Sequence, residues 1–306
     1  MYLSNLSSLL FYIPELIILA GILIAILFES VPHLRTFVYP SVIVSLILSS
    51  LCLFFIDTTN QPLFMGMIIH DSFALYFKVI MIFTTLSIVL VSKEDNSIKG
   101  DVKGEYYALI LMILLGLFSM VSARNLLMIY LSIELVSIPS YIIAGISKNN
   151  RESNEASLKY VIYGSFASGI MLFGLSWIYG MTGGLDLEHV SNGLLTFNGS
   201  SSIYLALLFI IVGFGYKISM VPFHYWTPDV YQGSPIPVAA FLSVAPKAAG
   251  FAIMIRIFYA LFTEGSPLMN NNSPIHDIDW PKLIAILSAL TMTVGNVLAL
   301  KQTNVK

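Results

Sequence analysis

Charge is what this sequence has least of. Of 306 residues only 10% are Asp, Glu, Lys or Arg, while 57% are hydrophobic. Soluble domains carry about 25% charged residues. A water-soluble fold of this length has nowhere to hide so much apolar surface, so lipid is the solvent. The net charge of -2 leaves no basic stripe for a nucleic acid. The single cysteine, Cys52, excludes a disulfide framework, a CxxC zinc site and an iron–sulfur cluster held by this chain. No GxGxxG or P-loop string occurs, so nucleotide binding finds no support. A basic n-region with a small-residue cleavage site is also missing, and the first apolar run reads as a retained span.

What is present is a series of long apolar stretches, near residues 9–28, 36–56, 73–91, 106–122, 126–146, 158–180, 203–223, 236–262 and 283–300. Each approaches the ~20 residues that an α-helix needs to cross ~30 Å of hydrocarbon. The runs are continuous and do not alternate with period two, which disfavours barrel strands. The expected fold is an all-α polytopic transmembrane bundle. With the N-terminus outside, inside loops carry Arg35, Lys93, Lys99, Lys103, Lys148, Arg151, Lys301 and Lys306, and outside loops only Arg124 and Lys282. That bias follows the positive-inside rule.

Five basic residues fall within spans: Lys78, Lys159, Lys217, Lys247 and Arg256. A charge at mid-membrane costs at least ~2.5–3.5 kcal/mol. Lys217 and Lys247 lie roughly 21 and 16 Å into their spans at 1.5 Å per residue, too deep to snorkel. They read as proton-exchanging groups in a hydrated interior or, alternatively, as halves of structural ion pairs. Glu134 is eight residues into the fifth span, and Lys159 opens the sixth on an adjacent antiparallel helix. A Glu134–Lys159 pair would offset burial cost, although Lys159 lies near the inside end and reads equally as a snorkelling anchor. Lys78 and Glu15 read as interface anchors, and Arg256 as either a packing ion pair or a transport group. His33, His70, His189 and His276 fall in loops and are expected to be solvated.

The most informative stretch is KISMVPFHYWTPDVYQGSPIPV, from Lys217 to Val238. Pro222, Pro228, Pro235 and Pro237 with Gly233 interrupt what should be continuous helix, because each proline removes a backbone donor. Inside lipid such a break is tolerated where it is buried in protein or lines a wet cavity. A broken helix beside a deep lysine is a transporter-like ion site, since helix ends aim dipoles at it. His224 and Asp229 sit in the break, as proton relays or as hydrogen-bonding supports for it. A plain proline-rich re-entrant turn is the alternative.

Here the sequence resembles the antiporter-like subunits of respiratory complex I, most closely the chain N (subunit 2) family of NADH–quinone oxidoreductase. The strings that carry it are SIELVSIPSYIIAG at 132–145, RESNEASLKY at 151–160, GFGYKISMVPFHYWTPDVYQGSPIPV at 213–238, FLSVAPKAAGF at 241–251 and GNVLALKQTNVK at 295–306. The resemblance covers most of the chain, and WTPDVYQGSP is highly specific to the group. It implies an antiporter-like fold with a discontinuous seventh helix, and a proton-translocating subunit of a multi-pass bacterial inner-membrane complex. It also implies other membrane-arm subunits as partners. No cofactor is expected on this chain; quinone, NADH, FMN and iron–sulfur clusters belong to other subunits. Glu134 and Lys159 would be the Glu–Lys pair, Lys217 the proton-storing lysine, and Lys247 the connecting lysine. Residues 1–105 would be N-terminal helices, 106–265 a five-helix repeat, and 266–306 the start of a second repeat. The family usually has fourteen helices. A chain ending after nine is truncated relative to that pattern, which implies a reading frame continuing by about 150–200 residues.

Three rival readings remain. One is a subunit of a multisubunit sodium/proton antiporter, against which the TPDVY wording and Lys247 speak. The second is a ferredoxin- or hydrogenase-linked relative. The third is a scaffold that pumps nothing, in which the lysines would be replaceable.

Overall fold

The fold is taken from a computed structural model that describes residues 4–98, 102–197, 200–262 and 280–304. Lys99, His276, Lys306 and the expected boundary at 265/266 lie outside the described residues. The helices, in chain order, are α1 (Asn5–Phe11), α2 (Ile13–Ser30), α3 (Val38–Phe55), α4 (Ser72–Ser92), α5 (Lys103–Ser122) and α6 (Leu126–Ala144). They continue as α7 (Arg151–Thr182), α8 (Leu187–Thr196), α9 (Ser200–Ile218), α10 (Trp226–Gly233), α11 (Ile236–Phe262) and α12 (Trp280–Leu300). Among the described residues nine helices are long and apolar enough to cross a membrane, and they coincide with the nine expected stretches.

Local chemistry sets the ends. Pro14 stands in the first turn of α2, where its missing N–H costs nothing. Asp71 caps α4 by accepting from Ala74 N at 2.8 Å, and Asn125 caps α6 by accepting from Leu127 N at 2.9 Å. Asn150 caps α7 through Glu152 N at 2.9 Å, so that helix begins seven residues before the expected 158. Gly183, at φ 71°, ends it in the left-handed conformation that suits glycine.

Helix α5 is the hub. Fifteen of its twenty residues are buried, and it packs against α2, α4, α6 and α11. A methyl group on Gly116 would lie 2.9 Å from Val136 N, so the small residue lets α5 and α6 approach backbone to backbone. The outer faces are apolar and exposed, as at Phe55 (84%), Phe83 (72%) and Phe166 (71%). Such a belt belongs in lipid. The chain is a multi-pass membrane protein. Helix α12 has no buried residue; Trp280, Leu283, Ile284 and Leu287 lean on the core.

One element departs from the expected polar loop after residue 56. Strands β1 (Thr59–Leu63) and β2 (Ile68–His70) pair antiparallel as a hairpin. Its turn holds Phe64, Met65 and Gly66 at positive φ and is tied to α1 by Phe64 N donating to Ser8 Oγ at 3.2 Å.

Candidate functional site

Helix α9 stops one residue after Lys217. Ser219 adopts φ 60°, Ser219 N donates to Tyr216 O at 3.1 Å and Met220 N to Gly215 O at 2.7 Å. These two bonds are the Schellman pattern, with serine where glycine is usual. Residues 219–225 are non-helical and α10 resumes at Trp226. The break loop is held by α12, whose Thr291 Oγ1 accepts from Val221 N at 3.1 Å.

Lys217 is therefore a buried lysine at a helix C-terminus, 4% exposed, where the helix dipole favours positive charge. Its Nζ donates to Ser137 Oγ on α6 at 3.0 Å. Glu134 is one turn before Ser137 on the same face of α6. Glu134 Oε1 is buried without a protein partner. On α11, a methyl group on Gly250 would lie 3.6 Å from Lys217 Cγ and 2.6 Å from Ile218 Cγ2. Lys247 precedes Gly250 by one turn, so the two lysines follow one another along the α9–α11 contact. Pro246 removes the donor for the Leu242 carbonyl beside Lys247. The Lys247 ammonium lies 5.4 Å from the centre of the Tyr231 ring in α10, whose hydroxyl is buried without a partner.

Glu134, Lys217 and Lys247 thus form one row. The other expected members lie elsewhere. Lys159 Nζ bonds Asp229 Oδ2 at 2.6 Å and Glu155 Oε1 at 2.8 Å, with its side chain 36% exposed. Among the described residues no ion pair joins Glu134 to Lys159; Lys159 instead ties α7 to α10. The reason is one of register: Lys159 is on the third turn of the long α7, level with α10 and not with the middle of α6. His224 stacks on Tyr225 at 4.7 Å, and both its ring nitrogens are buried without partners. Its ring nitrogens bond neither the loop nor the lysines.

Sequence reasoning missed the wall of this row. Tyr160 stacks on Trp226 at 4.6 Å, Tyr141 meets Tyr160 edge-on at 4.8 Å, and Trp226 Nε1 donates to Tyr216 O at 3.0 Å. Ser137 was available as the residue three after Glu134. The tyrosines gave no such signal, because on a helix that is apolar all round an aromatic residue has no marked face.

The expected interface anchors are also elsewhere. Lys78 and Glu15 are 2% and 1% exposed and pair at 2.5 Å. His70, expected in solvent, is 1% exposed. Arg256 clamps Asp71 through two bonds of 2.8 and 2.9 Å. Among the described residues no group of three or more His, Cys, Asp or Glu is placed to hold a metal.

Residues 123–306, which include the whole row, match the NADH:quinone oxidoreductase/Mrp antiporter transmembrane family. The chain belongs to that family. Among curated relatives, NADH-quinone oxidoreductase subunit N of Anaeromyxobacter sp. is 40% identical over 99% of this chain and 61% of its own length. Subunit N 2 of Sorangium cellulosum is 41% identical over 99% of this chain and 62% of its own. The chain therefore spans about three fifths of these relatives. Among solved structures, a chain of respiratory complex I from Thermus thermophilus with bound aureothin superposes with a TM-score of 0.69. It is 30% identical, and the match covers 92% of this chain and 58% of that one. The membrane-bound sulfane sulfur reductase, an archaeal respiratory membrane complex, has a chain with a TM-score of 0.81 at 22% identity, over 99% of this chain and 61% of that one. This last likeness is one of fold. The antiporter family's fold is thus the frame that holds Glu134, Lys217 and Lys247 together.

Proposed function

We propose that this chain is a proton-translocating membrane subunit of an NADH–quinone oxidoreductase. The observation that carries the reading is Lys217. It is buried at the end of an interrupted helix, bonded to Ser137, with Glu134 one turn away and Lys247 one turn along α11. Support comes from relatives named as subunit N. In this reading, quinone reduction elsewhere in the complex shifts charge along the membrane arm. The shift alters how Glu134 compensates Lys217, and the proton of Lys217 passes towards Lys247. Moving one charge against 100 mV takes about 2.3 kcal/mol, which rearranging one ion pair in a low-dielectric interior supplies. Lys159 and Asp229, half-exposed at α10, stand at the solvent end of the path. Residues 106–265 form the antiporter-like repeat and 1–105 an N-terminal group, with 266–306 opening a second repeat. The complex sits in a bacterial inner membrane with the N-terminus outside. Other membrane-arm subunits are its partners, and NADH, FMN, iron–sulfur clusters and quinone are bound by other subunits.

The test is the Lys217→Ala variant within the intact complex in sealed vesicles. Proton pumping is expected to fall at least tenfold while the complex still assembles. Pumping equal to the parent would overturn the relay.

A further inference from the structure

A second group of buried ionisable side chains lies away from the lysine row, at the end of the bundle that carries the β-hairpin. Glu15 is in the first turn of α2, Lys78 in the second turn of α4, and His70 is the last residue of β2. All three are 2% exposed or less. Lys78 Nζ stands between the other two, 2.5 Å from Glu15 Oε1 and 3.4 Å from His70 Nδ1. Two further atoms of the group, Glu15 Oε2 and His70 Nε2, are buried and have no protein partner.

A structural ion pair accounts for part of this but not all of it. Such a pair needs one acid and one base with their remaining polar atoms satisfied. Here a third ionisable group adjoins the base, and the acid and the imidazole each keep an unused proton-binding atom. A metal ion is excluded by the ammonium at the centre, which would repel it. The remaining species that three such groups can share is the proton.

The groups facing the cluster are consistent with this. From α2 comes Glu15, with the cap residue Tyr12 before it, and from α5 the Phe118 ring, 5.6 Å from Lys78 Nζ. From α4 comes Asp71, the cap residue next to His70, which is neutralised by Arg256 of α11. Phe11 of α1 covers the imidazole at 6.4 Å. Burial, and then the Lys78 charge, lower His70 to about 4, against a smaller opposing effect of Asp71. The imidazole is therefore neutral at ordinary pH, and in the tautomer protonated on Nε2 its Nδ1 is free to accept.

We infer that Glu15, Lys78 and His70 form a second proton-binding site, separate from the Lys217 row, that exchanges protons with the hairpin face of the membrane. An N–H bond breaks at Lys78 and one forms at His70 Nδ1. The Nε2–H bond breaks in turn as a water molecule on the hairpin side takes that proton. Lys78 is then reprotonated by a hydronium ion from the interior side, and Glu15 balances its charge throughout. No electrons move. The site is tied to the rest of the molecule by the Arg256–Asp71 clamp, nine residues along α11 from Lys247, or roughly 13.5 Å of helix.

This inference rests on the proton-translocating reading, so Lys217→Ala serves as the reference in the same vesicles. Three variants of the intact complex are compared: His70→Gln, Glu15→Gln, and the double variant Glu15→Leu with Lys78→Leu. The double variant removes both charges at once, so that neither is left alone in the core, and assembly is followed on native gels. The number of protons pumped per quinone reduced is expected to fall by half or more in His70→Gln and in the double variant, with assembly kept. An infrared carboxylate band that shifts when Lys78 gives up its proton should be present in the parent and lost in Glu15→Gln. If the double variant and His70→Gln both pump as the parent does while Lys217→Ala does not, the cluster is structural and the inference is wrong. If the double variant does not assemble, His70→Gln and the infrared band decide alone, and an unchanged pump with no Glu15 band overturns it. If Lys217→Ala itself pumps normally, the parent reading fails first.

Discussion

At the scale of single residues, burial and partnership decide which ionisable groups are free to change state. Lys159 is half in solvent and held by two carboxylates, whereas Lys217 has a hydroxyl as its acceptor. His70 shows the same contrast in a titratable range. Its folded pKa is lowered to about 4, mainly by burial, while an unfolded histidine titrates near 6.5. Between those values the unfolded state binds more protons. Stability is then full above pH 6.5, is lost as pH falls towards 4, and changes no further below that. After allowance for partial screening, the loss is on the order of 2–3 kcal/mol. Thermal denaturation in mild detergent should show this slope in the parent. His70→Gln should flatten it between pH 6.5 and 4, and an unchanged slope would exclude His70 as its source. Asp71 works in the same direction at lower pH. Burial pushes it up, but the Arg256 bonds and charge outweigh that and hold it below the usual range, so it adds a loss only at more acidic pH.

At the scale of elements, the stop of α9 is the feature on which the site depends. Ser219 occupies a left-handed position that costs an L-residue roughly 1–2 kcal/mol. Ser219→Gly is expected to raise stability by about 0.5–1 kcal/mol, and Ser219→Val to lower it by about 1–2 kcal/mol. Thermal midpoints in the same detergent would check both. A destabilised glycine variant would mean that the serine hydroxyl matters more than the backbone. The proline-rich string made an interruption legible in the sequence, as continuous apolar runs did the spans. Where the helix would stop was not legible, since no glycine marks residue 219. The hairpin at 59–70 was also hidden, because its short strands carry no alternating pattern; burial of His70 followed from that fold and not from its neighbours in sequence. The partner of Lys159 was hidden for a related reason. Proximity in sequence favoured α6, whereas the contact between α7 and α10 joins Lys159 to Asp229, 70 residues apart.

At the scale of the whole molecule, charge is divided between the two ends of the bundle. Lys93, Lys103, Lys148 and Arg151 gather at one end, while the hairpin, Arg124 and the Arg256–Asp71 clamp occupy the other. On the positive-inside rule we propose that the first end faces the cytoplasm. With Cys52 replaced by alanine, a cysteine introduced at Ser97 is expected to resist an impermeant thiol reagent in intact cells and to react after permeabilisation. Labelling in intact cells would reverse the orientation.

The ion pairs also set an order in which the chain can be completed. Glu15 and Lys78 are 63 residues apart, and each alone would be a bare charge in lipid. Helices α2 and α4 are thus driven to meet as soon as the second emerges. The clamp from Arg256 to Asp71 spans 185 residues, which at 5–20 residues per second is roughly 10–40 s of synthesis. For that interval Asp71 has no guanidinium to hold it, and the hairpin end stays unfastened while the middle of the bundle assembles. The last helix of the lysine row is also the one that fastens the far end, so a ribosome halted before α11 would leave both unfinished together.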